Sequence, residues 1–133
     1  MIVKNNRKVP LIALHNNYNQ QSLIQAKLAS VTSKEINDFI NSMGEPHRIE
    51  GDEDGITIGA IQADNEGDWT WQDGSPWGYE NWSGGEPNDH QGVEDCAEIV
   101  LNVHDRQLEP GYWNDVGCFK YNHFVCSKQR GTM

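Results

Sequence analysis

The chain has 133 residues, 36% of them apolar, which is enough for one core and predicts one domain over 1–133. Twenty acidic residues against ten basic give a formal charge of -10, which argues against a nucleic-acid partner and suits a protein that meets cations. No run approaches the roughly 18–20 apolar residues of a membrane span. The opening MIVKNNRKVPLIALH lacks the apolar core and cleavage site of a signal peptide, so either a targeting segment was removed or the protein is not exported by that route.

In chain order, Pro10 to Leu14 reads as a short edge strand, with Pro10 at its first position, where a missing N–H is harmless. A helix over 19–27 would carry only the thin apolar stripe of Leu23, Ile24 and Ala26. TSKEINDFINSMG is clearer. Thr32 stands three residues before Glu35, as in a capping box, and Ile36, Phe39, Ile40 and Met43 recur at helical spacing before Gly44, predicting an amphipathic helix over 33–43. GITIGAI at 55–61 alternates and reads as a strand, CAEIVLNV at 96–103 as a more buried one, and HFVCSK at 123–128 as a third. Between 67 and 88, five glycines, two prolines and four tryptophans without a sustained period predict a long loop. Four rings with large area to bury argue that this loop is ordered.

That loop runs into GGEPNDHQGVEDC, residues 84–96, where four carboxylates and two amides share thirteen positions with no Lys or Arg. Such charges repel unless solvent or a cation offsets them. A solvated acidic turn is one reading, with Asn114-Asp115 in GYWNDVGC merely another turn. The other is a hard cation such as calcium, which takes six to eight oxygen ligands. Glu86, Asn88 and Glu94 are of the right type, and a cis Glu86–Pro87 bond would turn both flanking side chains toward one point. Each oxygen cluster lies near a cysteine: Glu94 two residues before Cys96, Asp115 three before Cys118. Three cysteines with no CxxC exclude a four-thiolate zinc site and leave one thiol over. An extracellular chain would pair two of them and a cytosolic chain would keep all three reduced; composition leaves both open. A Cys96–Cys118 bridge would clamp the two clusters together and be worth roughly 3 kcal/mol.

From about residue 26 to 128 the sequence resembles the C-type lectin-like domains: AKLASVTSKEINDF matches the second-helix signature, WTWQDGSPWGYENWSGGEPN the long loop, and EDCAEIV, YWNDVGC and HFVCSK the calcium-site and cysteine segments. The resemblance implies an α+β fold of two helices, small antiparallel sheets and a long calcium-binding loop, in a secreted protein. It places the principal calcium ligands on Glu86, Asn88, Glu94, Asn114 and Asp115. An all-oxygen set disfavours zinc, and His90 is expected to be a turn residue. For an auxiliary calcium, Glu66, Asp89, Glu94 and Asp95 match, with Gln62 where relatives carry a further Asp. EPN resembles the branch that binds mannose, glucose, fucose or N-acetylglucosamine through vicinal equatorial hydroxyls; QPD would imply galactose.

Relatives usually pair the last cysteine with one in the first helix, which is absent here, so Cys126 is expected to be a buried free thiol and residues 1–25 to be atypical. Trp69, Trp71, Trp77, Trp82 and Trp113 are expected in the core of the loop region, with Trp113 beneath the ligands. The Asn81-Trp82-Ser83 sequon is expected to pack inward. Two other functions compete. Glu86, Glu94, Asp95 and Asp115 could offer a hydrolase its acid–base pair, but carboxylates held ionised as calcium ligands cannot keep a general acid's proton, so no enzyme is expected. A calcium-supported module that binds protein or ice is the second. Weak single-site binding would call for several copies on one scaffold, a homo-oligomer for instance.

Overall fold

The computed structural model describes residues 2–10, 26–48, 55–62, 67–87, 94–102 and 109–128. Its strands are β1 (Ile2–Pro10), β2 (Ala26–Leu28), β3 (Gly55–Gln62), β4 (Trp69–Trp71), β5 (Cys96–Val100), β6 (Trp113–Val116) and β7 (Tyr121–Lys128), and its one α-helix among the described residues is α1 (Lys34–Gly44). No helix among these residues is long and apolar enough to cross a membrane.

Helix α1 forms where the apolar spacing predicts it. Its cap is Ser33 rather than Thr32: Ser33 is extended and its Oγ accepts from Ile36 N at 3.2 Å, while Thr32 is exposed. The buried face also shifts. Ile40 is fully buried and Ile36 and Met43 partly so, but Phe39 is 53% exposed and Asn37 takes the inward place instead. Asn37 can be buried because both ends of its amide are satisfied. Its Nδ2 donates to Gly111 O at 3.0 Å, and its Oδ1 accepts from Trp113 Nε1 at 2.7 Å. A single 3₁₀ turn, Glu45–His47, follows at Pro46, which cannot continue the helical hydrogen bonds.

The seven strands form one sheet in the order β1-β7-β3-β5-β6, with β2 also on β7 and β4 also on β3. The sheet is mixed, not the small antiparallel sheets expected: β3 runs parallel to β7 (Ile56↔His123, Thr57↔Phe124), while the other pairs are antiparallel. Strands β3 and β5 are the buried middle, and all five positions of β5 are buried, as an apolar run covered on both faces requires. The chain's other departures lie near its start. Pro10 ends an edge strand instead of opening one, and residues 11–14 lie outside the described residues. Ala26 and Lys27 belong to a strand on β7, so the helix expected over 19–27 does not reach them, and 19–25 lie outside the described residues. Gly59 shows how closely β3 meets the turn after β2: its N–H donates to Ala29 O at 2.8 Å, and a Cβ there would stand 2.7 Å from Leu28 O.

Ile40, Ile56, Ile58, Ile99, Leu101 and Trp113 belong to one core cluster, against which Trp69, Trp77, Tyr79 and Trp82 of the long loop pack. The loop is therefore ordered, as its tryptophans predict. A polar staple fixes its first half: Ser30 Oγ donates to Asp73 Oδ2 at 2.9 Å, and Asp73 Oδ1 accepts from Ser75 N at 2.9 Å. Burial raises the Asp73 carboxyl, but hydrogen bonds from the Ser75 backbone and the Ser75 and Ser30 hydroxyls more than offset it and hold the group below the usual carboxylate range.

Candidate cation and ligand site

The site is built around β6. Trp113 is fully buried, with Trp71, Trp77, Tyr79 and Trp82 meeting it edge-on at 5.4–6.0 Å between ring centroids. Its backbone carries the loop. Trp113 N donates to Asn81 O and Ser83 N to Trp113 O, both at 2.8 Å, so residues 81–83 run parallel to β6 as an added bridge. A turn follows at once, with Glu86 N donating to Ser83 O at 2.9 Å and Gly85 at φ +83°, the left-handed backbone that glycine adopts without strain. Glu86 is thus brought beside the strand that carries Asn114 and Asp115. The Glu86–Pro87 bond is cis.

Strand β5 supplies the other side. Cys96 stands opposite Val116, Ala97 opposite Asp115, and Glu98 opposite Asn114. Glu94 and Asp95 are half-buried just before β5, and Asp95 O accepts from Gln62 N at 3.0 Å. Cys96 and Cys118 are bridged, with Cα atoms 5.2 Å apart, so the acidic stretch and the Asn114-Asp115 pair are tied at one end of β5 and β6.

Of the five expected principal ligands, Glu86, Glu94, Asn114 and Asp115 are therefore on neighbouring segments, and Asp115 is fully buried. Asn88 lies outside the described residues, as do Glu66, Asp89 and His90. Among the described residues no three His, Cys, Asp or Glu side chains converge as a metal-holding group, although Glu86, Glu94 and Asp115 are all described. What fits a cation is donor chemistry: carboxylates and an amide, all hard oxygen donors of the kind calcium takes. Asn114 adds polarity to this, because its Nδ2 donates to Glu98 Oε2 at 3.2 Å and its Oδ1 is turned away from that carboxylate.

Glu98 and its partners Lys120 and Asn122 were not singled out in the sequence. Glu98 is 1% exposed, and its carboxylate accepts from Lys120 Nζ at 2.8 Å, Asn122 Nδ2 at 2.8 Å and Asn114 Nδ2. A charged residue in the middle of CAEIV was the available signal, since a buried carboxylate needs partners. Asn81 Nδ2 donates to Gly111 O at 2.9 Å, so the sequon packs inward. Cys126 is a free thiol, half-buried rather than buried; burial pushes it up to about 11, which keeps it protonated and unreactive at neutral pH.

Comparison with known proteins agrees with the fold. Perlucin of Haliotis laevigata is 34% identical over 107 residues, covering 80% of this chain and 64% of perlucin. The galactose-specific lectin nattectin of Thalassophryne nattereri is 32% identical over 101 residues, 76% of this chain and 58% of nattectin. The chain therefore spans about six-tenths of the length of these relatives. Among solved structures, the mouse scavenger receptor C-type lectin carbohydrate-recognition domain superposes with a TM-score of 0.73 at 28% identity, covering 99% of this chain and 90% of that one. The family model of the lectin C-type domain matches residues 19–128, and the chain belongs to that family.

Proposed function

We propose that this chain binds carbohydrate through calcium, with mannose-type specificity, in a secreted setting that suits the Cys96–Cys118 bridge. The observation that supports this reading is the order EPN, ED and WND, with an oxygen donor at Glu86, Asn88, Glu94, Asn114 and Asp115, of which Glu86, Glu94, Asn114 and Asp115 are on segments joined by the Trp82–Trp113 bridge and the disulfide. Bound calcium supplies coordination places for two vicinal hydroxyls of one sugar. The chain's own residues set the orientation. Carboxylates such as Glu86 and Glu94 accept the hydroxyl protons, and the amides of Asn88 and Asn114 donate to the hydroxyl oxygens. Asn114 can do this while bound to Glu98, because its nitrogen carries two hydrogens. An auxiliary site drawing on Glu66, Asp89, Glu94 and Asp95 would have the neutral Gln62 where relatives carry a further Asp, so its calcium affinity would be the lower of the two.

Nattectin is described as galactose-specific, whereas the mannose-type reading of this chain rests on Glu86-Pro87-Asn88. The double variant Glu86→Gln/Asn88→Asp reverses the acid and amide and is expected to move monosaccharide preference from mannose toward galactose on a glycan array. An unaltered preference refutes this account of orientation. The competing reading is a calcium-supported module that binds protein or ice rather than sugar; a calcium-loaded chain that passes through a mannan column and retains such a partner would support it.

A further inference from the structure

We infer that Glu98 is the positioning residue that sets the polarity of the Asn114 amide, presenting its carbonyl oxygen for the cation; this rests on the calcium reading of the site. Glu98 stands opposite Asn114 in the β5–β6 pair and is buried, and its carboxylate has acceptors only. The group it meets on Asn114 must therefore be Nδ2, and the Asn114 oxygen faces the other way. Glu98 does not compete for the cation itself, because Lys120 and Asn122 both donate to its Oε1 at 2.8 Å. Asn122 is in turn fixed on β7: its Oδ1 accepts from Gly55 N at 2.9 Å and its Nδ2 lies 3.2 Å from Thr57 Oγ1. The geometry of the amide is thus dictated from β3 and β7, through a chain of donors that leaves one arrangement. Partners that orient a metal ligand in this way typically change metal affinity by about 10–100-fold when replaced.

The polarity gives the test its sign. In Glu98→Gln, Lys120 and Asn122 still demand an acceptor at Oε1, so the new amide nitrogen faces Asn114. Asn114 then turns its oxygen to Gln and its nitrogen to the site. Calcium dissociation constants from titration calorimetry are expected to rise by about tenfold or more. Asn114→Asp alone sets two carboxylates face to face and is expected to lose as much. The double variant restores a donor–acceptor pair and presents oxygen to the site again, so its affinity returns to within about threefold of the wild type. Folding is followed by thermal unfolding in chelator, and the Asn114 Nδ2 hydrogens by NMR in chelator, where they are held against exchange in the wild type and freed in Glu98→Gln. Wild-type affinity in folded Glu98→Gln, failure of the double variant to recover, or equal exchange in both proteins overturns the role of Glu98 and leaves the calcium reading standing. A wild-type chain that binds no calcium overturns both.

Discussion

Removing the Cys96–Cys118 bridge by Cys96→Ala/Cys118→Ser tests how the two halves of the site are held. The bridge closes a loop with a sequence separation of 22 residues, and the chain-entropy relation for that length gives about 11 cal/mol/K, or about 3.4 kcal/mol at 25 °C. The cost falls on the unfolded chain, since β5 and β6 remain paired from Cys96↔Val116 to Ile99↔Trp113 without the bridge. Urea unfolding in chelator keeps ligand linkage out of the comparison. At a slope of about 1.5–2 kcal/mol/M the midpoint falls by about 2 M with the slope little changed. A fall of less than about 0.5 M would refute the view that the bridge acts by constraining the unfolded chain.

Trp113→Phe removes the donor to Asn37 Oδ1, a nearly fully buried acceptor, and part of a fully buried ring; about 2–3 kcal/mol of stability is expected to go, read by the same unfolding assay. Gly111 has φ +90°, a Cβ there would lie 3.1 Å from Asn41 Nδ2, and its carbonyl accepts from both Asn37 and Asn81. Gly111→Ala is expected to cost about 1–3 kcal/mol, and a thermal midpoint equal to the wild type's would contradict this. Cys126 keeps its proton to about 11 in the folded chain against an ordinary 9.0, so the unfolded state loses the proton first. Unfolding free energy should therefore be steady below pH 9 and fall between pH 9 and 11, and Cys126→Ala should flatten that fall.

Strand β3 and helix α1 were legible from their periodicity, Ile-rich alternation in one and Ile36, Ile40 and Met43 in the other, and β5 and β7 from short apolar runs. The cap missed by one residue since Thr32 and Ser33 have equivalent hydroxyls, and only the backbone of Ser33 decides between them. Asn37 replaced Phe39 on the inner face for a reason no local pattern holds: its partners, Gly111 and Trp113, are more than seventy residues away. Strand β1 reads IVKNNRKVP, polar and without alternation, and it exists by pairing with β7. Strand β4 has three residues, too few to show a period inside the loop. At the site, the residue types and order of Glu86, Glu94, Asn114 and Asp115 were readable from chemistry, whereas Glu98 was hidden in a strand that reads as apolar.

Calcium-dependent sugar binding is the claim on which the functional account turns, and retention on a mannan column tests it most directly. Purified protein loaded in calcium is expected to be retained, to elute with chelator, and to elute with free mannose ahead of free galactose. Passage through the column in calcium, or retention that chelator leaves undisturbed, would contradict the account.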